Sequence, residues 1–357
     1  MNTLNHRLVR LIACLGALLS CASLAAAQPP GVDSLGTATV AGFSVPYSTY
    51  ASPQARRMFQ RVLDEGRHAP SLAGPIAASR AYYDRINTDR AERMRRLYPV
   101  RVEARTIGGV ATQVITPAQG IDPTQQHRVL INLPGGAFLW GAGSGGLVES
   151  IPIASLGRIE VITVDYRQGP EHTFPAASED VAAVYRVLLK RYPARNIGIY
   201  GCSAGGFLTA ESVAWFISKK LPVPGAIGTF CGSITALGGD SAYVAPALNG
   251  EPAPTTILKL SDLPYFKGAK PTDPLVFPAN SAALLAQFPP TLLITGTRDF
   301  TMSSVIQSQR LLAAAGVDAE LHVWDGMWHS FFSDPEMPES REAYNVMVHF
   351  FDRKLGR

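Results

Sequence analysis

The sequence predicts an α/β protein whose central sheet is mostly parallel and covered by helices on both faces. Three observations carry that prediction. From about residue 100 onward, short apolar runs alternate with helical patterns, as βαβ units require. Around residue 200 an apolar run passes directly into a glycine-rich turn and then a helical pattern. An aspartate and a histidine follow the ends of two later apolar runs, where open α/β sheets place their ligands.

Residues 1–27 are expected to be a signal peptide. Arg7 and Arg10 precede an apolar run that closes in Ala25-Ala26-Ala27, a charged region, an apolar region and an A-x-A cleavage site. The expected mature N-terminus is Gln28, and the expected location is the periplasm or the medium. A lipoprotein anchor at Cys21 is the weaker alternative, because Leu19 is bulky for such a site. The run is short for a membrane span. Its removal takes away two arginines and no acid, so the formal charge of +4 becomes +2. The one basic cluster, Arg90 to Arg96, is interrupted by Glu92 and reads as a solvated helix face, so no nucleic-acid partner is expected. With 46% hydrophobic and 17% charged residues the chain is not disordered. Four cysteines in 357 residues exclude a disulfide scaffold.

Residues 28–97 read as an extended arm (31–52) followed by helices at 53–66 and 77–97, a helical cap segment. Residues 98–357 carry the alternating pattern. Strands are expected at 100–106, 111–116, 129–133, 160–165, 197–200, 226–230, 291–295 and 320–323. Helices are expected at 178–190, 204–219, 303–315 and 340–355. The stretch 238–280, rich in Pro, Gly and Ala, breaks the rhythm and reads as an insertion that completes the cap.

The chemistry concentrates at strand ends. Gly201-Cys202-Ser203-Ala204-Gly205 is G-x-S-x-G between a strand and a helix, a turn that presents the serine hydroxyl at the top of a sheet. A serine needs a general base, and the base an orienting acid. Of the seven histidines only His329 lies in the loop after the last strand. Asp299 follows the strand 291–295, whereas Asp325 is too close to His329 in sequence to reach its ring easily. The candidate catalytic residues are therefore Ser203, Asp299 and His329. The loop Pro134-Gly135-Gly136-Ala137-Phe138 follows another strand. The N–H groups of Gly136, Ala137 and Ala204 are the candidate oxyanion donors. Phe138, Trp140, Tyr243 and Phe266 are candidates to line a substrate pocket.

From about residue 101 to the C-terminus the chain resembles the hormone-sensitive-lipase-like (bacterial family IV) carboxylesterases of the α/β-hydrolase superfamily. The most specific piece is Asp165-Tyr166-Arg167-Gln168-Gly169-Pro170-Glu171-His172 followed by Thr173-Phe174-Pro175-Ala176-Ala177, close to the family's D-Y-R-L-A-P-E-H-P-F-P-A-A. By the family's pattern that segment is structural, so His172 is not counted as catalytic. The elbow resembles G-D-S-A-G-G with Cys202 in place of the acid. The family's H-G-G-G-F corresponds to residues 134–138, with Pro134 for the histidine that helps brace the loop and Ala137 for the third glycine. The order Ser203, Asp299, His329 is that of the superfamily.

The resemblance implies a serine carboxylesterase that forms an acyl-enzyme on small-molecule esters of short to medium chain length, near C2–C8, and needs no cofactor; the expected signal peptide makes it an exported one. An exported deacetylase of acetylated sugars, a lactone or polyester hydrolase, and a non-catalytic ligand-binding relative are the alternatives. Gly141-Ala142-Gly143-Ser144-Gly145-Gly146 matches G-x-G-x-x-G. A dinucleotide fingerprint begins directly after its strand, and here residues 134–140 intervene. No histidine or cysteine cluster has metal-ligand spacing. Cys202 and Cys231 follow successive strands and are expected as free, buried thiols, with a bridge as the alternative.

Overall fold

The computed structural model describes residues 31–40, 42, 44–71 and 74–356. The expected signal peptide, Gln28 and Cys21 lie outside the described residues. The chain divides into a unit ending at Pro46 and a unit from Tyr47 onward. In the first, expected to be a plain extended arm, β1 (Gly31–Val32) pairs antiparallel with β2 (Ala38–Thr39). The Asp33 carboxylate accepts from the N–H groups of Leu35 and Thr37 at 2.9 and 2.7 Å, closing a turn of the Asx type.

The second unit begins with α1 (Pro53–His68) and α2 (Ile76–Leu97). Ser52 caps α1 through its side chain, with Pro53 in the first turn, the favoured start of a helix. Eight strands follow: β3 (Val100–Ile107), β4 (Val110–Pro117), β5 (Val129–Leu133), β6 (Val161–Val164), β7 (Ile197–Cys202), β8 (Ala226–Phe230), β9 (Thr291–Arg298) and β10 (Ala319–Trp328). They form one sheet in the order β10-β9-β8-β7-β5-β6-β4-β3. The pairs β3·β4 and β4·β6 are antiparallel and the others parallel. The central strands β5 to β8 are buried throughout, which is why their sequences are continuous apolar runs. Strand β3 is at the edge and mostly exposed, with Arg101, Glu103 and Arg105 turned outward. None of the helices among the described residues is long and apolar enough to cross a membrane.

The remaining helices are α3 (Ser144–Gly157), α4 (Ala176–Leu188), α5 (Ala204–Ser218), α6 (Ser241–Leu248), α7 (Ala282–Leu285), α8 (Met302–Ala314) and α9 (Pro338–Lys354). Helix α3 is absent from the sequence-based expectation. Its two adjacent glycines and Pro152 argue against a helix by propensity, yet most of it is buried and packing overrides propensity. A Cβ on Gly146 would lie 2.1 Å from Thr163 Cγ2 on β6, so the glycine lets α3 seat on the sheet. The G-x-G-x-x-G match is thus the start of this helix. Asp165, far from acting on a ribose, accepts from Gly143 N at 2.8 Å.

The insertion 238–280 differs from expectation in part. Its segment around Glu251 and Leu258 borders a cavity above the sheet. Leu260, Leu263, Tyr265, Phe266, Val276 and Phe277 instead belong to the main core, because these apolar side chains cover the sheet rather than its mouth.

Glu211 on α5 is fully buried, and neither of its carboxylate oxygens has a hydrogen-bond partner. Burial holds its carboxyl far above the usual range. An acid whose pKa is raised by folding binds more protons in the folded state. Its effect on stability is therefore increasingly unfavourable as pH rises above its unfolded value of about 4.3. Glu211→Gln is expected to gain stability relative to wild type at pH 8 but not at pH 4. Urea unfolding at both pH values checks this, and an equal difference at the two would contradict it.

Candidate active site

The strand β7 ends at Cys202 and α5 starts at Ala204, so Ser203 alone makes the turn. Its backbone is held at φ 55°, ψ −123°, a strained conformation of the kind concentrated at functional sites. The turn is possible because Gly201 and Gly205 have no side chains: a Cβ on Gly205 would lie 1.7 Å from Leu133 O.

Ser203 Oγ lies 2.9 Å from His329 Nε2, and His329 Nδ1 lies 2.8 Å from Asp299 Oδ1. Residues more than a hundred positions apart meet here because β7, β9 and β10 are parallel and open their carboxyl ends to the same side. Asp299 has no exposure. Its Oδ1 also accepts from Thr301 N at 2.9 Å, and its Oδ2 accepts from Thr295 Oγ1 at 2.9 Å. Burial alone would raise this carboxyl. The facing His329 and the hydrogen bonds from His329 and Thr301 outweigh burial and hold it below the usual range. Asp325 is exposed and engaged elsewhere, by the hydroxyls of Ser48 and Thr297.

The loop after β5 is shaped for close approach. Gly136, Ala137 and Phe138 all have positive φ, at 124°, 53° and 60°. A Cβ on Gly136 would lie 2.1 Å from Trp140 O. The N–H groups of Gly136, Ala137 and Ala204 have no acceptor among the described residues. Gly135, Gly136, Ala137, Ser203 and His329 line one cavity of about 540 Å³. The loop is buttressed by the conspicuous Asp-Tyr-Arg segment. Tyr166 donates its hydroxyl to Pro134 O at 2.7 Å, Arg167 pairs with Asp180, and Glu171 pairs with Arg80 of α2. His172 is exposed and takes no part.

The pocket candidates fare unevenly. Trp140 lines the cavity and stacks on Tyr83 of α2, with ring centroids 4.5 Å apart. The placement of Phe138 and Phe266 at the pocket has to be corrected. Phe138 is fully buried and packs on Tyr265 and Phe266 at 4.8 and 4.9 Å, because two successive left-handed residues turn it down into the core. Tyr243 is corrected too: it sits on α6, 43% exposed, and does not line the cavity. The walls come instead largely from α1 and α2, through Val62, Tyr82, Tyr83, Asn87 and Arg90. Arg90 pairs with Glu65 and Asp334, and Arg93 with Asp334 and Glu336. These pairs tie the cap helices to the segment just after His329.

Sequence reasoning missed how the histidine loop and the oxyanion loop are held. Ser330 has a left-handed backbone. Its Oγ lies 2.8 Å from Cys202 Sγ, and its N–H donates to Cys231 Sγ at 3.3 Å. Both cysteines are free and buried. Cys231, Asp299 and His329 offer ligand atoms within 4.8 Å of one another, but the aspartate and histidine atoms already share a hydrogen bond. Glu149 on α3 was also missed. Its signal was an acid in the apolar run Leu147-Val148-Glu149-Ser150-Ile151.

A parallel sheet carrying a strand–serine–helix turn defines the α/β-hydrolase class. The model of a family described as having the alpha/beta hydrolase fold matches residues 130–333. The chain belongs to that family, and within it to the hormone-sensitive-lipase-like esterases. An acetyl-hydrolase of Streptomyces hygroscopicus is 28% identical over 258 residues, 70% of this chain and 82% of the relative. The crystal structure of an esterase matches with TM-score 0.76 and 29% identity, over 89% of this chain and 98% of its own. That of an esterase from the bacterial hormone-sensitive lipase family matches with TM-score 0.74 and 26% identity, over 85% and 99%. The chain is a carboxylic ester hydrolase.

Proposed function

We propose that the chain is an exported serine carboxylesterase acting on short- to medium-chain acyl esters. The observation that carries this reading is the unbroken hydrogen-bond chain from Ser203 through His329 to the buried Asp299. His329 takes the proton of Ser203 as the hydroxyl attacks the ester carbonyl. The oxyanion is received by the N–H groups of Gly136, Ala137 and Ala204. His329 then protonates the leaving alcohol, and the acyl group rests on Ser203. A water activated by His329 releases the acid. Asp299 keeps the proton of His329 on Nδ1 and offsets the charge the ring acquires.

The chain-length preference rests on the cavity. Aromatic side chains of α2 and Trp140 enclose a space that suits a small ester, and its walls are pinned by ion pairs. Export rests on the pattern of residues 1–27. The named activity of the Streptomyces relative favours one narrower reading, that acetyl esters are the best substrates.

A fluorophosphonate probe is expected to label wild type and not Ser203→Ala. In a panel of p-nitrophenyl esters from acetate to palmitate, kcat/KM is expected to peak between C2 and C8. A maximum at palmitate, with a rate jump above the critical micelle concentration, contradicts the chain-length reading. Mass measurement on the exported protein tests cleavage before Gln28.

A further inference from the structure

We infer that Glu149 is a positioning residue of the active site, its ionised carboxylate fastening the oxyanion loop to the nucleophile elbow. The inference rests on the serine-esterase reading above. Glu149 projects from α3 into the floor of the cavity. Its Oε1 accepts from Gly135 N at 2.8 Å, and its Oε2 accepts from Asn132 Nδ2 at 2.9 Å and Cys202 N at 3.2 Å. Gly135 immediately precedes the two candidate donors of the loop, and Cys202 immediately precedes the serine. One carboxylate thus holds the backbone on both sides of the point where the oxyanion would form.

All three partners are donors, so the site calls for an acceptor-only group. An ionised carboxylate is one, whereas a protonated one sets an O–H against an N–H. The Tyr166 hydroxyl holds the loop at Pro134 O, and among the described residues Glu149 is the side chain that accepts from a backbone N–H of the loop. Among the described residues Gly135 N has no other acceptor, and an unpartnered buried N–H is costly.

Among the described residues no cation pairs with Glu149. The titratable groups that feel its charge are Tyr166 and Tyr200 of the sheet side and the Cys202 thiol. Arg90, from the cap side of the cavity, is paired with Glu65 and Asp334. Burial pushes the Glu149 carboxyl up to about 7, against the pull of its three hydrogen bonds. Acidification below neutrality therefore protonates it and releases one of the two backbone N–H groups. The loss of activity then includes this proton in addition to any taken up by the base.

The test is Glu149→Gln in the full chain. A glutamine supplies one acceptor oxygen and places its NH₂ against a backbone N–H of either the loop or the elbow. With a p-nitrophenyl ester, kcat is expected to fall about 10- to 100-fold with KM nearly unchanged, since donors aimed at the transition state are displaced. Phenylboronic acid, whose serine adduct is tetrahedral, is expected to bind weaker by a similar factor. The acid limb of the kcat/KM profile is expected to be one proton less steep than in wild type. A kcat within about twofold of wild type overturns the inference. So does a lower kcat with unchanged boronate affinity and an unchanged pH profile, the mark of a merely structural role. Glu149→Asp keeps the charge but shortens the reach. It is the second arm if the glutamine variant does not fold, with the same pH slope as wild type and a smaller fall in kcat expected. A slope reduced as in a neutral variant overturns the inference there. Absence of fluorophosphonate labelling in wild type is a failure of the esterase reading itself and is seen separately.

Discussion

Ser203→Ala and His329→Ala are each expected to lower turnover of a p-nitrophenyl ester by about 10⁶-fold, and the double variant by little more. The reason is geometric. Ser203 Oγ and His329 Nε2 face each other at 2.9 Å, so the proton has one acceptor, and removing either partner abolishes the same step. What remains after the loss is the contribution of the oxyanion donors and of substrate binding, about 10³–10⁴ over water. Steady-state rates of the three variants, with folding checked by circular dichroism, decide the point. Near-normal turnover in His329→Ala contradicts the assignment of the base. Additive losses in the double variant contradict the claim that the pair acts as a unit.

Asp299→Asn is expected to cost less, about 10³-fold. In this site the asparagine has a preferred orientation. Thr301 N can only donate, and it points at Oδ1, the oxygen that also faces His329 Nδ1. The amide oxygen of the asparagine therefore takes that position. Its NH₂ falls at Oδ2, where the Thr295 hydroxyl can rotate to accept. The histidine keeps its proton on Nδ1, and the loss is confined to the negative charge that stabilises the protonated ring. Breaking such a buried ion pair costs about 3–5 kcal/mol. A flipped tautomer costs about 10⁴-fold in another serine hydrolase. A fall as large as that here shows that the Thr301 contact does not orient the amide. Comparison of kcat/KM for Asp299→Asn and Asp299→Ala measures both effects. The stability consequence has a definite sign. The Asp299 carboxyl is held below its ordinary value. Its contribution is thus present above the unfolded pKa of about 3.9 and is lost as pH falls through the lower folded value. The stability advantage of wild type over Asp299→Asn is expected to shrink only in strong acid.

The parts of this site that were legible in the sequence are those governed by local chemistry. The glycines around Ser203 declare a turn that no side chain fits. The central strands are buried on both faces and so read as unbroken apolar runs. Asp299 and His329 stand directly after two such runs, and a parallel sheet brings the ends of its strands together whatever lies between them. The order and type of most elements follow from the same periodicities, and strands β5 and β8 fall at the expected boundaries.

What only the tertiary structure decided are the choices made by packing across the sheet. Helix α3 contradicts its own glycines and proline, and exists because its faces are buried against β6 and α2. Phe138 looks like a pocket residue by its position, but two left-handed backbone angles turn it inward. Glu149 lies fourteen residues from Gly135 and fifty-three from Cys202, so no local pattern links them. Cys202 and Cys231 are free and buried as expected, but that their sulfur atoms hold Ser330 follows from no local pattern. Local sequence determines which turns and strands form, since steric and hydrophobic preferences act within a few residues. Which side chains then meet depends on helix–sheet packing and on hydrogen-bond partners distant along the chain, and these are defined only once the sheet is assembled.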